Sequence, residues 1–286
     1  MIITWITYAL LCAFFQALND LFTKKYAEQL SDRLLVLARI IFAVPVLWLL
    51  CLIEGLPPVD GKILITYAVA APLDLAGSLL YVRALRLSPL SLTVPFLSFT
   101  PAFLVGTSFL LLQEQPGLSG IAGILLIVAG SYALNLSARD KGLLHPFRVI
   151  FREKGSLLML VVAFIYSITS NLGKMGVLYS SPVFFGASYY TILSALLLPF
   201  TLRRIPLGRL FNPGLLYIGA CSSLMIFFHF TALKLALVSY MVAVKRTSLL
   251  FGIIFGALIF GEKGFREKIT GGLLMVAGII LIALRG

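Results

Sequence analysis

Residues 84–133 read ALRLSPLSLTVPFLSFTPAFLVGTSFLLLQEQPGLSGIAGILLIVAGSYA, and residues 232–281 repeat them in degenerate form as ALKLALVSYMVAVKRTSLLFGIIFGALIFGEKGFREKITGGLLMVAGIIL. The two copies align without a gap. The matching positions include Ala84 and Ala232, Glu114 and Glu262, Gly123 and Gly271, and Gly130 and Gly278. An internal duplication within a very apolar chain is typical of transporters that are built from two related halves.

The composition is that of a membrane protein. Of the 286 residues, 60% are hydrophobic and 12% are charged, whereas a soluble domain carries about 25% charged residues. The net charge of +12 does not indicate nucleic-acid binding, because the basic residues lie in polar breaks between apolar runs. The first apolar run, residues 5–22, has no basic segment before it, which favours a retained helix over a signal peptide.

Ten apolar runs recur along the chain, each close to the ~20 residues that a bilayer core requires. Most breaks between them are short and rich in Gly, Pro and charged residues, which is typical of turns. The predicted spans are residues 4–23, 34–53, 63–82, 90–112, 117–136, 156–173, 183–201, 214–233, 239–260 and 268–285. The sequence therefore predicts an all-α polytopic membrane protein with ten transmembrane helices.

The longest break is basic and joins the fifth predicted span to the sixth. It divides the chain into a first five-helix repeat at residues 1–137, a linker at 138–155 and a second five-helix repeat at 156–286. A unit with five crossings ends on the side of the membrane opposite to its start, so the second unit enters the membrane the other way up. The count therefore predicts two inverted five-helix repeats, related by a pseudo-two-fold axis in the membrane plane.

The distribution of lysine and arginine predicts an orientation. Most of these residues lie in the breaks on one side of the predicted topology. The other side, which includes both ends of the chain, carries only Lys62, Lys174, Lys234 and Arg285. The positive-inside rule therefore predicts that the richly basic side faces the cytoplasm and that both termini lie outside it.

Three segments resemble the EamA family of the drug/metabolite transporter superfamily. SYMVAVKRTS at residues 239–248 and GALIFGEK at 256–263 resemble the ninth helix of that family, and FLLLQE at 109–114 resembles its fourth. The resemblance extends over essentially the whole chain. It implies ten helices in two inverted halves, a central cavity, and export or exchange of small metabolites. Family members carry amino acids, nucleotide sugars, sugar phosphates and drugs, and they are often drawn with both termini in the cytoplasm.

Polar residues recur on one face of several predicted spans, at matched positions in the two halves. Polar groups inside a membrane normally turn toward the protein interior or a water-filled cavity. The alternative is hydrogen bonding between helices without any ligand. The polar stripes comprise Gln16, Asn19, Asp20 and Thr23 in the first span, Tyr166, Thr169, Ser170 and Gly173 in the sixth with Asn171 and Lys174 beside them, Asp74, Ser78 and Tyr81 in the third, and Ser222 and His229 in the eighth.

The ninth span contains a basic pair, Lys245 and Arg246, with Ser248 close by. A charge near the bilayer centre costs about 2.5–3.5 kcal/mol on insertion scales, so two adjacent charges need either a partner or a function. Neighbouring residues on a helix point about 100° apart. We therefore expect one of the two to bind an anionic substrate group while the other pairs with a carboxylate or a helix end. The alternative is a buried ion pair that locks the ninth helix.

Other titratable residues have two interpretations each. Asp74 is the most central carboxylate and could accept a coupling proton or bind a substrate ammonium, or it could form a salt bridge with Lys245, Arg246 or Arg39. His229 could relay protons or pack through a hydrogen bond. The predicted substrate-binding residues are Lys245, Arg246, Asp74, Tyr81, Asn19, Asn171, His229 and Ser248.

Glycine and proline mark two further features. Pro95 and Pro101 predict a kink or a loosened segment in the fourth span, since proline removes a backbone hydrogen bond. Gly252 and Gly256 form a GxxxG pair in the ninth span, a weak signal for close helix packing.

No enzyme motif is present: the sequence contains no HExxH, no GxSxG and no phosphate-binding loop. The three cysteines, Cys12, Cys51 and Cys221, lie in apolar runs without metal-ligand spacing, so no disulfide, metal or cofactor is expected. The sequence predicts a secondary transporter in the cell membrane, a monomer or homodimer, which exports or exchanges a small polar metabolite such as an amino acid or another organic anion. The alternatives are a passive channel, a multidrug or cation exporter of the same fold and, more remotely, a membrane enzyme.

Overall fold

The computed structural model describes residues 2–26, 30–88, 93, 96–134, 154–203, 213–260 and 269–285. Every regular element in these ranges is helical, which confirms the all-α prediction for the described part of the chain. The predicted linker, apart from Lys154 and Gly155, lies outside these ranges, as do Pro95 and Glu262. The helices are α1 (Ile2–Tyr26), α2 (Asp32–Ile41), α3 (Ala43–Glu54), α4 (Ile63–Leu87), α5 (Thr100–Leu112), α6 (Leu118–Ala133), α7 (Lys154–Leu178), α8 (Pro182–Leu202), α9 (Pro213–Leu235), α10 (Val238–Lys245), α11 (Ser248–Phe260) and α12 (Ile269–Arg285).

Within the described residues, seven helical stretches are long and apolar enough to cross a membrane. They are α1, α2 with α3, α4, α7, α8, α9, and α10 with the first part of α11. Three shorter apolar helices, α5, α6 and α12, lie at the remaining predicted spans. Every predicted span thus coincides with helix, although three of the helices are shorter than the sequence predicted.

Matched caps begin the second predicted span of each repeat. The Ser31 side chain accepts a hydrogen bond from Leu34 N at the start of α2. The Ser181 side chain accepts one from Phe184 N at the start of α8. Each serine satisfies a backbone N–H that the first helical turn leaves without a partner. The caps fix a common register for α2 and α8, which aligns Arg39 with Tyr189.

Turns interrupt the second and the ninth predicted spans, although each still contains a helical stretch long and apolar enough to cross a membrane. The second predicted span breaks between α2 and α3 at Phe42, three residues before Pro45. The ninth breaks between α10 and α11 at Arg246 and Thr247, where backbone hydrogen bonds span three residues instead of four. Such tighter bonding is typical of a 3₁₀ turn.

The fourth predicted span breaks at the matching register. Residues 98–99 form a turn, and α5 begins at Thr100 as α11 begins at Ser248. Pro101 lies in the first turn of α5, where its missing N–H has no helical acceptor to lose. The predicted loosening of this span is therefore present, and Pro101 begins the new helix instead of kinking an old one.

The repeats meet along α6 and α12 through glycine backbones. A Cβ atom on Gly123 would lie 2.8 Å from Gly278 O, and one on Gly130 would lie 2.6 Å from Gly271 O. The pairs run in opposite directions along the two helices, so α6 and α12 are antiparallel. Since Gly123 matches Gly271 and Gly130 matches Gly278 in the repeat, each contact is the counterpart of the other.

Close packing does not involve Gly252, one member of the GxxxG pair, and the surroundings of Gly256 lie outside the described residues. A Cβ on Gly252 would meet no atom within 4 Å, so the expected packing at Gly252 is not present among the described residues. Two further helix pairs also join the repeats. α1 of the first repeat packs along α9 of the second, and α7, which is the counterpart of α1, packs along α4 of the first. These four helices surround the central cavity.

Candidate substrate-binding site

A cavity of about 130 Å³ lies between the two repeats. It is larger than a single water needs, and an apolar cavity of about 150 Å³ can hold benzene. Its walls come from α1, α2, α4, α7, α8, α9 and α10. The polar and charged lining residues are Gln16, Arg39, Asp74, Ser78, Tyr81, Tyr166, Thr169, Ser170, Tyr189, Tyr190, His229, Lys245 and Arg246.

The break between α10 and α11 brings two basic side chains to this cavity. Arg246 is 6% exposed, and its Nε atom has no hydrogen-bond partner among the described residues. The Lys245 ammonium has Met225 Sδ, 3.7 Å away, as its nearest polar contact. In the described part of the chain neither cation lies within 4.0 Å of a carboxylate. The alternative of a buried ion pair at this position therefore has no support.

Asp74 is held by neutral groups. One carboxylate oxygen accepts a hydrogen bond of 3.0 Å from the Tyr189 hydroxyl, and the other accepts one of 3.3 Å from the Thr169 hydroxyl. The salt bridge from Asp74 to Lys245, Arg246 or Arg39 that the sequence allowed is not formed among the described residues. The two hydroxyl groups fix the carboxylate and leave further lone pairs on its oxygens.

Arg39 has a carboxylate partner of its own. Its guanidinium lies 3.2 Å from Asp20 Oδ1 and 3.3 Å from Thr23 Oγ1. Gln16 donates to both oxygens of Asp20, at 2.9 Å each. The guanidinium also lies over the Tyr81 ring, 5.1 Å from its centroid. Arg39 is thus paired with Asp20 and not with Asp74, and it forms part of one wall of the cavity.

Charges around the cavity do not balance. The Arg39 and Asp20 charges cancel, which leaves two cations, Lys245 and Arg246, against one carboxylate, Asp74. A surplus cation inside a membrane protein calls for a compensating anion. His229 adds a further polar group without a partner, because its Nδ1 is buried and makes no hydrogen bond within the described ranges.

Five of the eight predicted substrate-binding residues line the cavity, and three do not. The five are Lys245, Arg246, Asp74, Tyr81 and His229. Asn19 is fully buried against α9, where it donates to the Ser222 hydroxyl and to Ile218 O. Asn171 bonds to Ser108 and Thr107 of α5, and Ser248 is buried at the start of α11. For Asn19 and Asn171 the contacts are the helix–helix hydrogen bonds that the sequence left open as the alternative.

The sequence missed an aromatic wall from α8. Tyr189 and Tyr190 line the cavity together with Phe230, and Phe185 stacks on Tyr189 with ring centroids 5.1 Å apart. The register that Ser31 and Ser181 share aligns Tyr189 with Arg39, which the sequence had singled out. This alignment between the repeats is the sequence feature that could have identified Tyr189 as a cavity residue.

Comparisons with known proteins agree with this architecture. The model of the EamA-like transporter family matches residues 3–136 and again residues 153–284. The chain therefore belongs to the EamA-like transporter family. It is a multi-pass membrane protein of a transporter family, not of an enzyme family. Membership of this family implies a lipid bilayer around the protein and a small molecule as its substrate.

Two individual comparisons concern the length of one repeat and the overall fold. An uncharacterized protein of Methanocaldococcus jannaschii is 32% identical over 134 residues, which make up 47% of this chain and 98% of that protein. That relative is thus about as long as one repeat. A solved crystal structure has a TM-score of 0.74 at 16% identity, covering 97% of this chain and 94% of that chain. At this identity the likeness concerns the fold alone.

Proposed function

We propose that this protein is a secondary transporter that exports or exchanges a small polar metabolite bearing a carboxylate or a similar anionic group. An amino acid or another organic anion fits this description. Transport proceeds by alternating access to the central cavity, in the cell membrane, with the protein as a monomer or homodimer. The observation that carries the proposal is the pair of the buried Arg246 and the partly buried Lys245, which faces a cavity and has no carboxylate partner among the described residues.

The proposed topology has ten membrane-crossing segments in two inverted repeats, residues 1–137 and 156–286, joined by the linker at 138–155. Two observations support it. The family model matches twice, at residues 3–136 and 153–284. The contacts between α6 and α12 exchange repeat-equivalent glycines between antiparallel helices, as a two-fold axis across those helices requires.

The cavity charges favour an anion over a cation. A guanidinium can hold a carboxylate or phosphate through two hydrogen bonds, while an ammonium acts as a point charge. Asp74 gives the opposite wall one negative charge, so a zwitterion could place its ammonium there. A multidrug or cation exporter of the same fold would have to place its cargo beside two cations, and the cavity offers a single carboxylate against them.

The direct test is substrate exchange in proteoliposomes. Purified protein is first screened by thermal shift against amino acids, nucleotides, sugar phosphates and cationic dyes, because a bound ligand raises the apparent stability. A stabilising anion is then used as a radiolabelled substrate. We expect uptake to accelerate when the same substrate is loaded on the opposite face. Flux that is indifferent to that loading supports a passive channel, and stabilisation by dyes alone supports a cation exporter.

Asp74 provides a second prediction, on coupling. If its carboxylate carries the coupling proton, Asp74→Asn should abolish accumulation driven by a pH gradient and leave counterflow of the substrate intact. The asparagine keeps the size of the side chain, its amide oxygen can accept from one of the two hydroxyl groups, and its amide NH2 can donate to the other. Both activities are measured in the same proteoliposome preparation. Accumulation that persists in the variant means that the coupling site lies elsewhere.

Orientation provides a third prediction, which rests on the one-sided distribution of basic residues. A green fluorescent protein fused to the C-terminus should be dark, and an alkaline phosphatase fused at the same point should be active. The two fusions control for each other, since they report opposite sides. A bright first fusion with an inactive second one would reverse the orientation and match the drawing common for the family.

A further inference from the structure

One end of the bundle, called the terminal end, is where α1 begins and α12 ends. The connections between α3 and α4, α5 and α6, α7 and α8, and α9 and α10 lie there too. Hydrogen bonds join the two repeats across it: Asp60 N donates to Tyr179 O at 2.9 Å, and Gly117 N donates to the Tyr240 hydroxyl at 3.2 Å. The described connections at this end therefore hold the repeats together.

The strongest link at the terminal end is an ion pair. Lys174 Nζ at the end of α7 lies 2.5 Å from Glu114 Oε1, just after α5, and the two side chains are 10% and 12% exposed. Glu114 belongs to the first repeat and Lys174 to the second. Lys174 also donates to Ala236 O at 2.6 Å. The pair is therefore largely buried, supported by further hydrogen bonding and shared between the halves.

The backbone conformation at the end of α5 places Glu114 beside Lys174. Gln113 has a φ of 56° in the left-handed region, Gln113 N donates to Phe109 O, and Glu114 N donates to Ser108 O. The bond from Gln113, with Gln113 in the left-handed region, forms the αL motif that commonly ends a helix. The second repeat has Gly261 where the first has Gln113. The turn therefore fixes the Glu114 carboxylate instead of leaving it free in a loop.

Lys174 of the ion pair lies on α7 where two cavities adjoin. Gly173 lines the central cavity, and the next residue, Lys174, lines a second cavity of about 400 Å³. This outer cavity is bordered by Trp5, Lys234 and Tyr240 at the terminal end. The Lys174–Glu114 pair therefore lies where the walls of the two cavities adjoin on α7.

The pair is also joined to the candidate site through α10. Glu114 Oε2 accepts a hydrogen bond of 2.9 Å from Val238 N, the first residue of α10. α10 has eight residues and ends at Lys245, and Arg246 follows it. A helix of that length spans about 12 Å. One short helix therefore has its N-terminus held by Glu114 and its C-terminus at the cavity.

We propose that the Lys174–Glu114 pair is a latch that closes the path from the central cavity to the outer cavity. The latch opens when Lys174 and Glu114 separate, which also releases the N-terminus of α10. Movement of α10 then links the latch to Lys245 and Arg246, so this inference rests on the proposed transport function. The repeat aligns Lys174 with Lys24 and Glu114 with Glu262, and the proposal concerns the Lys174–Glu114 pair alone.

The test measures how fast a reagent reaches the central cavity from the terminal end. The three native cysteines are replaced by alanine, and Ser170→Cys places one thiol on the cavity wall one turn of α7 below Lys174. A membrane-impermeant, anionic methanethiosulfonate is applied from the side that the fusion experiment assigns to the termini. We expect Glu114→Gln and Lys174→Gln each to accelerate labelling about tenfold or more, because removing one partner of a buried pair strongly destabilises the closed state.

The two variants separate a latch from simple attraction of the reagent. Glu114→Gln makes the path more positive and Lys174→Gln makes it less positive, so electrostatic attraction alone would change the two rates in opposite directions. Such opposite changes would overturn the proposal, as would two unchanged rates. The swap of both residues, Glu114→Lys with Lys174→Glu, should return the rate toward that of the parent. Lys234→Gln removes a positive charge from the same outer cavity without touching the pair, so it is the matched control for charge and should not accelerate labelling.

Folding and function are controlled separately. If Glu114→Gln yields no folded protein, Glu114→Asp keeps the charge and shortens the side chain, and a labelling rate equal to the parent's then counts against the latch. Labelling requires neither a known substrate nor transport. Failure of the uptake assay would therefore overturn the proposed function without touching the labelling result, and unchanged labelling beside active uptake would overturn the latch alone.

Discussion

Arg246→Lys should lower kcat/KM for uptake by about 10- to 100-fold, which corresponds to losing a charge-assisted hydrogen bond of about 1.5–3 kcal/mol. Arg246 is almost fully buried at the break between α10 and α11, and its Nε atom has no partner among the described residues. Lysine keeps the charge but replaces a planar group with several donors by one ammonium. The loss should therefore appear in recognition of the anionic group, with the fold preserved.

Lys245→Gln completes this prediction because it removes a charge and keeps the length of the side chain nearly constant. We expect uptake of anionic substrates to fall more than uptake of neutral ones. Kinetics are measured in proteoliposomes, and the melting temperature in detergent reports on folding. Arg83→Lys is the matched control: Arg83 is half-exposed and 3.6 Å from Asp32, at the end opposite the terminal end. Unchanged kinetics in both cavity variants would make the basic pair structural and remove the main reason to expect an anion.

The sequence predicted the architecture well because a repeat and long apolar runs are global signals. The repeat between residues 84–133 and 232–281 located the two halves, and every predicted span contains helix. Both signals depend on averages over many residues. A few substitutions in either copy change neither the length of an apolar run nor the register of the repeat, so these features survive in a single sequence.

Interruptions of the helices could not be predicted in the same way. In the fourth span, the prolines predicted a kink or a loosened segment, and in the structure Pro101 lies in the first turn of α5. In the ninth span no proline is present, and the break at Arg246 follows from short-range contacts. The Thr247 hydroxyl donates to Val244 O at 2.8 Å, and the backbone bonds between residues 243 and 250 span three residues. Residues 98–99 and 246–247 occupy equivalent positions in the repeat. Only this equivalence would have allowed the break expected in the fourth span to be predicted in the ninth as well.

The predicted site residues fall into two groups: charged residues that the sequence identifies, and polar residues whose role depends on how the helices pack. Lys245, Arg246 and Asp74 were found because charge inside an apolar span is rare and costly. Asn19 and Asn171 share the polar character of the stripes but bond to neighbouring helices. An asparagine that faces a cavity and one that bridges two helices look alike in sequence. The distinction depends on the relative rotation of packed helices, which neither composition nor periodicity specifies.

Gly130→Ala should lower the stability of the protein by about 1–3 kcal/mol, the usual cost of overpacking. The added Cβ would lie 2.6 Å from Gly271 O and 2.7 Å from a Met275 side-chain carbon. A methionine side chain can move, but a backbone oxygen moves only if α6 and α12 separate. Separation would loosen the contact along which the repeats meet, at Gly123 and Gly278 as well. A domain of this size loses roughly 2–4 °C in melting temperature per kcal/mol, so a drop of several degrees in detergent is expected.

The chain supplies its own controls for this prediction. Gly106 lies in α5 and Gly252 in α11, and a Cβ at either position would meet no atom within 4 Å. Gly106→Ala and Gly252→Ala should therefore leave the melting temperature unchanged or slightly raised, because alanine is favoured over glycine inside a helix by about 0.8–1.0 kcal/mol. Gly252 is the sharper control, since the sequence offered it as a packing glycine and the structure leaves it open. Equal melting temperatures for Gly130→Ala and Gly252→Ala would mean that the backbone contact between α6 and α12 contributes little, and that the repeats are held together chiefly by the packing of α1 on α9 and of α4 on α7.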